Sequence, residues 1–175
     1  MRATIRLLVL DVDGVLTDGR LYFGARGEAL KAFHVHDGLG IAELQRHGIT
    51  VAVISGRRSR AVSTRCRELG VRHLHQGVRD KLAVLERLRA RLAVPLSACA
   101  AVGDDLPDLP LLNAVALAFA VANAHPAVQR AARFVTRLPG GAGAVREVCD
   151  ALLARRAQRP TQRRRRARRV ARTRP

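Results

Sequence analysis

The chain has 175 residues, of which 48% are apolar, enough for one domain with a full hydrophobic core. Its formal charge of +18 suggests a nucleic-acid partner, but eleven arginines fall in residues 155–175, which hold no acid, and the remainder carries only +7. That concentration argues against a nucleic-acid-binding core and predicts a disordered tail, too polar to bury apolar surface.

Strand-like and helix-like segments alternate along the chain, the pattern of a parallel sheet covered by helices. Residues 5–10 read as a buried strand ending on Asp11 and Asp13. Short runs at 21–23 and 29–33, around a glycine-bounded turn at 24–27, predict a β-hairpin. A short helix over 39–47 follows, with Gly48 as its C-cap, then a strand over 50–54. Ser59 caps a helix running to Leu69, which Gly70 stops. A strand over 71–75, an amphipathic helix over 81–92 and a strand over 98–102 come next. Helices at 109–114 and 127–132 flank an apolar strand region at 115–121, and 134–136 is an edge strand. The final helix is expected from Gly143 to about Arg156. The expected class is α/β, a Rossmann-like doubly wound parallel sheet with a β-hairpin inserted after the first strand and no separate cap domain. Residues 1–154 form the domain and 155–175 the tail.

The first 20 residues contain no long apolar run, so neither a signal peptide nor a membrane span is expected. Three scattered cysteines, Cys66, Cys99 and Cys149, form no CxxC pair and read as small buried residues in a reducing cytoplasm.

Polar residues gather where the predicted strands end. Asp11 and Asp13 follow the first strand, Ser55 and Arg57 the second, Lys81 comes just after the third, and Asp104 and Asp105 follow the fourth. In a doubly wound sheet these ends meet in one crevice. Carboxylates packed side by side there call for a cation, and hard oxygen ligands suit Mg²⁺. No Cys/His spacing suits zinc. The implied reaction is attack on phosphorus by Asp11 to give an aspartyl-phosphate, with Asp13 as acid and then base. Mg²⁺, Lys81 and the Ser55 hydroxyl would neutralise the transferring phosphoryl oxygens. Lys81 is one of only two lysines in a chain that otherwise uses arginine.

Asp11-x-Asp13-Gly14-Val15-x-Thr17, Ser55-Gly56-Arg57, Lys81 and Gly103-Asp104-Asp105-x-x-Asp108 resemble, in order and spacing, the four motifs of the haloacid dehalogenase superfamily. The resemblance covers residues 5 to about 153. It implies that Asp11 is nucleophile and metal ligand, and that Asp13 is acid and base with its backbone carbonyl on the metal. Ser55 and Lys81 would hold phosphate, Asp104 would bind the metal, and Asp105 would support it. A narrower resemblance, to the capless phosphatases of that superfamily, rests on Gly27-Glu28-x-Leu30-Lys31-Ala32-Phe33, Asp37-Gly38-x-Gly40-Ile41, Arg65-Cys66-x-x-Leu69-Gly70, Gln76-Gly77, Ala124-His125-Pro126 and Gly143-Ala144-Val145-Arg146-Glu147-Val148-Cys149-Asp150. It implies a cytoplasmic homotetramer in which the hairpin builds the assembly and a neighbouring subunit covers the site. Its substrate would be an anionic sugar phosphate, in the sharpest form 3-deoxy-D-manno-octulosonate 8-phosphate, on the way to lipopolysaccharide. His34, Val35, His36, Asp37 and Gly38, with Asp13, Arg57, Arg65 and Lys81, would contact it. Two positions depart from the family pattern. His34-Val35-His36-Asp37-Gly38 stands where the family has Asn-Val-Arg-Asp-Gly, and Gly140-Gly141-Ala142-Gly143 where it has Gly-Gly-Arg-Gly.

Other readings fit less of the chain. A nine-carbon ulosonate 9-phosphate shares the same motifs. Nucleic-acid binding through the tail would be nonspecific, because no aromatic residue interleaves its arginines. A noncatalytic relative has no reason to keep Asp11, Asp13, Lys81 and Asp104 together.

Overall fold

The computed structural model describes residues 4–25 and 27–171, with residues 158–171 described by their backbone alone. A six-stranded parallel sheet in the order β5-β4-β1-β6-β7-β8 is built from β1 (Leu7–Leu10), β4 (Thr50–Ser55), β5 (His73–Gln76), β6 (Cys99–Gly103), β7 (Leu117–Ala120) and β8 (Phe134–Val135). Helices α1 (Val35–Arg46), α2 (Arg60–Glu68), α3 (Lys81–Arg91), α4 (Leu109–Ala114), α5 (Pro126–Ala131) and α6 (Ala144–Ala171) connect or follow the strands. The antiparallel pair β2 (Tyr22–Gly24) and β3 (Gly27–Leu30) lies outside the sheet, between β1 and α1. The architecture is the expected doubly wound α/β fold. Among the described residues the hairpin is the only strand pair inserted after β1.

Strand β1 is the centre of the molecule. Leu7, Leu8, Val9 and Leu10 are buried on both faces, as a parallel strand covered by helices requires. Each such side chain contributes about 1.5–3 kcal/mol by leaving water. From β1 the chain moves outward through β4 and β5, then returns to β6 on the other side of β1 and continues to β7 and β8. The switch point therefore lies between β1 and β6, and ligand crevices open at the carboxyl ends of strands at such a point. The loop after β1 is fixed from outside by residues 140–141. A Cβ on Gly140 would come within 1.7 Å of the Gly14 carbonyl oxygen, so only glycine allows the two backbones to meet. The Gly141 amide donates to the Val15 carbonyl at 3.1 Å.

Two helices differ from the sequence expectation. Helix α1 starts at Val35 rather than near residue 39, because packing against α6 outweighs the poor helix propensity of Gly38 and Gly40. Helix α6 runs to Ala171, well past the expected end near Arg156. Alanine and arginine are strong helix formers. Residues 172–175 of the expected tail lie outside the described residues. So does Arg26 of the expected hairpin turn.

Candidate active site

The carboxyl ends of β1 and β6 and the first residue of α3 bring Asp11, Asp104, Asp108 and Lys81 together. One carboxylate oxygen from each aspartate lies within 4.8 Å of the others. The buried Lys81 ammonium sits 2.8 Å from Asp11 Oδ1 and donates to Asp108 Oδ1 at 2.6 Å. Asp108 Oδ2 accepts from the Asp104 and Asp105 amides at 3.0 and 3.4 Å. Both oxygens of Asp108 are thus engaged, and this residue sets the position of Lys81 and of the 104–105 turn. Sequence reasoning quoted Asp108 in its motif and gave it no role. Its signal was the acid three residues after Asp105, a capping-box spacing that the structure shows in full. Asp105 caps its own turn by accepting from the Leu106 amide at 2.8 Å.

The electrostatics of the cluster are unfavourable without a cation. Burial, then the nearby Asp108 charge, push the Asp11 carboxyl up to about 6 despite Lys81. Burial, then Asp11 and Asp108, push Asp104 up to about 8. Burial pulls the Lys81 ammonium down, but Asp11 and Asp108 more than offset it and leave it above the ordinary lysine value. Asp104 Oδ1 is buried with no hydrogen-bond partner. A Cβ on Gly14 would lie 2.1 Å from Asp104 Oδ2, so the glycine keeps open the space beside that carboxylate. An orphaned buried oxygen, a second carboxylate and a cleared space fit a hard divalent cation.

Asp13 has other partners. Its carboxylate pairs with the Lys31 ammonium, whose side chain is 2% exposed, and lies 3.8 Å from Arg57 Nε. If Asp13 joins a metal, only its backbone carbonyl is free of this pairing. Lys31 also lies 3.3 Å from Glu28 Oε2, and the Ser59 hydroxyl donates to Glu28 Oε1. Ser55, buried at the end of β4, accepts from the Arg57 amide at 3.2 Å, which leaves its hydroxyl proton to donate. Neither Lys31 nor Glu28 was singled out as a site residue. The signal for Lys31 was its rarity, shared with Lys81.

The remaining expected contacts gather around a different hollow. His34, Asp37, Gly38 and Arg65 line a largely apolar hollow between α1 and α2, which none of Asp11, Asp13, Lys81 and Asp104 lines. Asp37 is buried, and its Oδ1 accepts from the Arg146 amide of α6 at 2.7 Å. A Cβ on Gly38 would lie 2.4 Å from Arg65 Nη2, so glycine there seats the guanidinium against α1. His34 and His36 meet edge-on with ring centroids 4.9 Å apart, and Val35 and His36 are exposed.

An acid-lysine cluster at the switch point of a doubly wound sheet suits an enzyme that handles phosphoryl groups. Residues 74–145 match the family model of haloacid dehalogenase-like hydrolases. The 3-deoxy-D-manno-octulosonate 8-phosphate phosphatase of Escherichia coli is 52% identical over 149 residues, covering 85% of this chain and 79% of that protein. The chain belongs to the haloacid dehalogenase-like hydrolases, in the group of 3-deoxy-D-manno-octulosonate 8-phosphate phosphatases. A probable YrbI family phosphatase from Pseudomonas syringae superposes with a TM-score of 0.85 at 50% identity, covering 86% of each chain. The 3-deoxy-D-manno-octulosonate 8-phosphate phosphatase from Moraxella catarrhalis, solved with a magnesium ion, a phosphate ion and a KDO molecule, gives a TM-score of 0.84 at 42% identity, covering 86% of this chain and 87% of its own. Among the described residues no helix is long and apolar enough to cross a membrane.

Proposed function

We propose that this protein is a Mg²⁺-dependent phosphatase that hydrolyses 3-deoxy-D-manno-octulosonate 8-phosphate to the free sugar acid and phosphate. The observation that carries the reading is 52% identity to a phosphatase of that substrate across most of both chains. The acidic cluster supplies the chemistry. Asp11 Oδ attacks phosphorus, the bond from phosphorus to the sugar oxygen breaks, and Asp13 delivers a proton to the leaving alkoxide. Asp13 then takes a proton from the water that attacks the aspartyl-phosphate, which restores Asp11 and releases phosphate. Lys81 and the Ser55 hydroxyl hold phosphoryl oxygens, and Asp108 holds Lys81. Asp11, Asp104 and the Asp13 backbone carbonyl are the groups that would hold Mg²⁺, which supplies charge neutralisation to the transferring phosphoryl group. In this reading Arg57, beside Asp13, and the exposed Val35 and His36 would meet the sugar acid, with Arg65, His34 and Gly38 lining a neighbouring hollow.

The test is phosphate release from the eight-carbon substrate, a nine-carbon ulosonate 9-phosphate and p-nitrophenyl phosphate, with Mg²⁺ or with EDTA. Metal-dependent turnover that favours the eight-carbon substrate is expected, and preference for the nine-carbon one would move the assignment. Asp11→Asn is expected to reduce turnover to background with an unchanged far-UV circular dichroism spectrum.

The assembly we infer is a cytoplasmic homotetramer built on the hairpin. Phe23 and Leu30 on the hairpin are 64% and 53% exposed, and Val35 just beyond it is 71% exposed, a cost a second copy of the chain would remove. Light scattering on Phe23→Glu is expected to show dissociation, and an unchanged mass would remove the hairpin from the interface.

A further inference from the structure

We propose that Lys31, held by Glu28, is a positioning residue that keeps the Asp13 carboxyl aimed at the leaving oxygen. The inference rests on the phosphatase reading and deepens it. Lys31 lies one residue beyond β3, in the segment that leads from the hairpin to α1. Its side chain is 2% exposed although it carries a full charge, and a buried ammonium is tolerated only where its partners are fixed. Those partners are Asp13, in direct contact, and Glu28 Oε2 at 3.3 Å. Glu28 is itself anchored, since it accepts from the Ser59 hydroxyl at the N-cap of α2 and lies 3.9 Å from Arg57 Nη2. A chain of contacts thus runs from the N-cap of α2 through Glu28 and Lys31 to the acid and base of the reaction.

General-acid catalysis matters in proportion to how poor the leaving group is. A p-nitrophenolate departs without a proton, whereas an alkoxide or an unsubstituted phenolate needs one. The readout is therefore kcat/KM, which covers steps only up to formation of the aspartyl-phosphate, for a series of substituted phenyl phosphates of similar size. The full-length protein with Mg²⁺ is used, and the eight-carbon sugar phosphate is measured beside the series. In Lys31→Met the line of log kcat/KM against leaving-group pKa is expected to steepen. The loss should be about 100-fold for the poorest leaving group and under about threefold for p-nitrophenyl phosphate. Lys31→Arg should recover most of the loss, and Glu28→Gln should give an intermediate slope with KM little changed. A Lys31→Met line that falls parallel to the wild type would overturn the inference, because a merely structural or substrate-anchoring role lowers every member alike. If Lys31→Met does not fold, the slope in Glu28→Gln decides, and an unchanged slope there also overturns it. Failure of the wild type to hydrolyse any of these phosphates would instead refute the phosphatase reading itself.

Discussion

Asp11, Asp104 and Asp108 are three acids in one dry place, and their division of labour follows from their partners. Asp108 is 1% exposed, and every oxygen it has is used by Lys81 or by a backbone amide. Asp104 Oδ1 has no such partner. Asp108 therefore holds the site together, whereas Asp104 keeps an oxygen that a cation would suit. Asp108→Ala removes one of the two counter-charges of a buried lysine and frees two amides, so a loss of about 3 kcal/mol in unfolding free energy is expected. Urea denaturation measures it, and turnover should fall as well because Lys81 loses its fixed position. A change below 0.5 kcal/mol, the ordinary range of a surface substitution, would count against this role.

At the scale of elements, the segment before α6 acts as a clamp on the catalytic loop. The chain between β8 and α6 presses Gly140 onto the Gly14 carbonyl, and Gly14 in turn keeps the space beside Asp104 clear. The clamp and the metal position are thus coupled through a single glycine. Gly140→Ala places a methyl group where a carbonyl oxygen stands, and a destabilisation of at least about 2 kcal/mol with loss of Mg²⁺ affinity is expected. Calorimetric titration of Mg²⁺ into the variant checks the second part. Retained affinity in a folded variant would show that the loop does not depend on this contact.

The whole molecule carries the cost of its acidic centre as a dependence on pH and metal. Asp11 and Asp104 hold their protons more tightly when folded, with values raised to about 6 and about 8 from an ordinary 3.8. Between pH 4 and 8 the folded state therefore binds more protons than the unfolded state, and these two groups make stability decline as pH rises. Without metal, Asp104→Asn lacks its share of that decline, so its melting temperature should gain on the wild type from pH 4 to 8. Adding Mg²⁺ at pH 8 should reverse the order, because the cation stabilises the folded wild type by binding it. At the far end of the chain, among the α6 residues whose burial is described, the buried ones (Ala144, Val145, Val148, Cys149 and Leu152) all precede residue 153. We infer that residues 1–154 are the folding unit, and truncation after Arg156 is expected to leave melting temperature and turnover unchanged.

The sequence by itself determined the doubly wound sheet and the strand ends that carry Asp11, Ser55, Lys81 and Asp104. Apolar runs of strand length alternating with amphipathic segments leave few other topologies, and a parallel sheet brings such ends to one edge. It also placed the hairpin and the Ser59 cap, which are signals local to a few residues. Tertiary structure alone decided what each polar group touches. Asp37 is joined to the Arg146 amide across 109 residues, Lys31 to Asp13 across 18, and Lys81 to Asp108 across 27. No local pattern encodes such pairs, because they arise from how helices and the hairpin close over the sheet. The same holds for α1, whose glycines hide a helix that packing on α6 enforces. Sequence periodicity records which face of an element is buried, whereas only the folded chain fixes which charges share that burial.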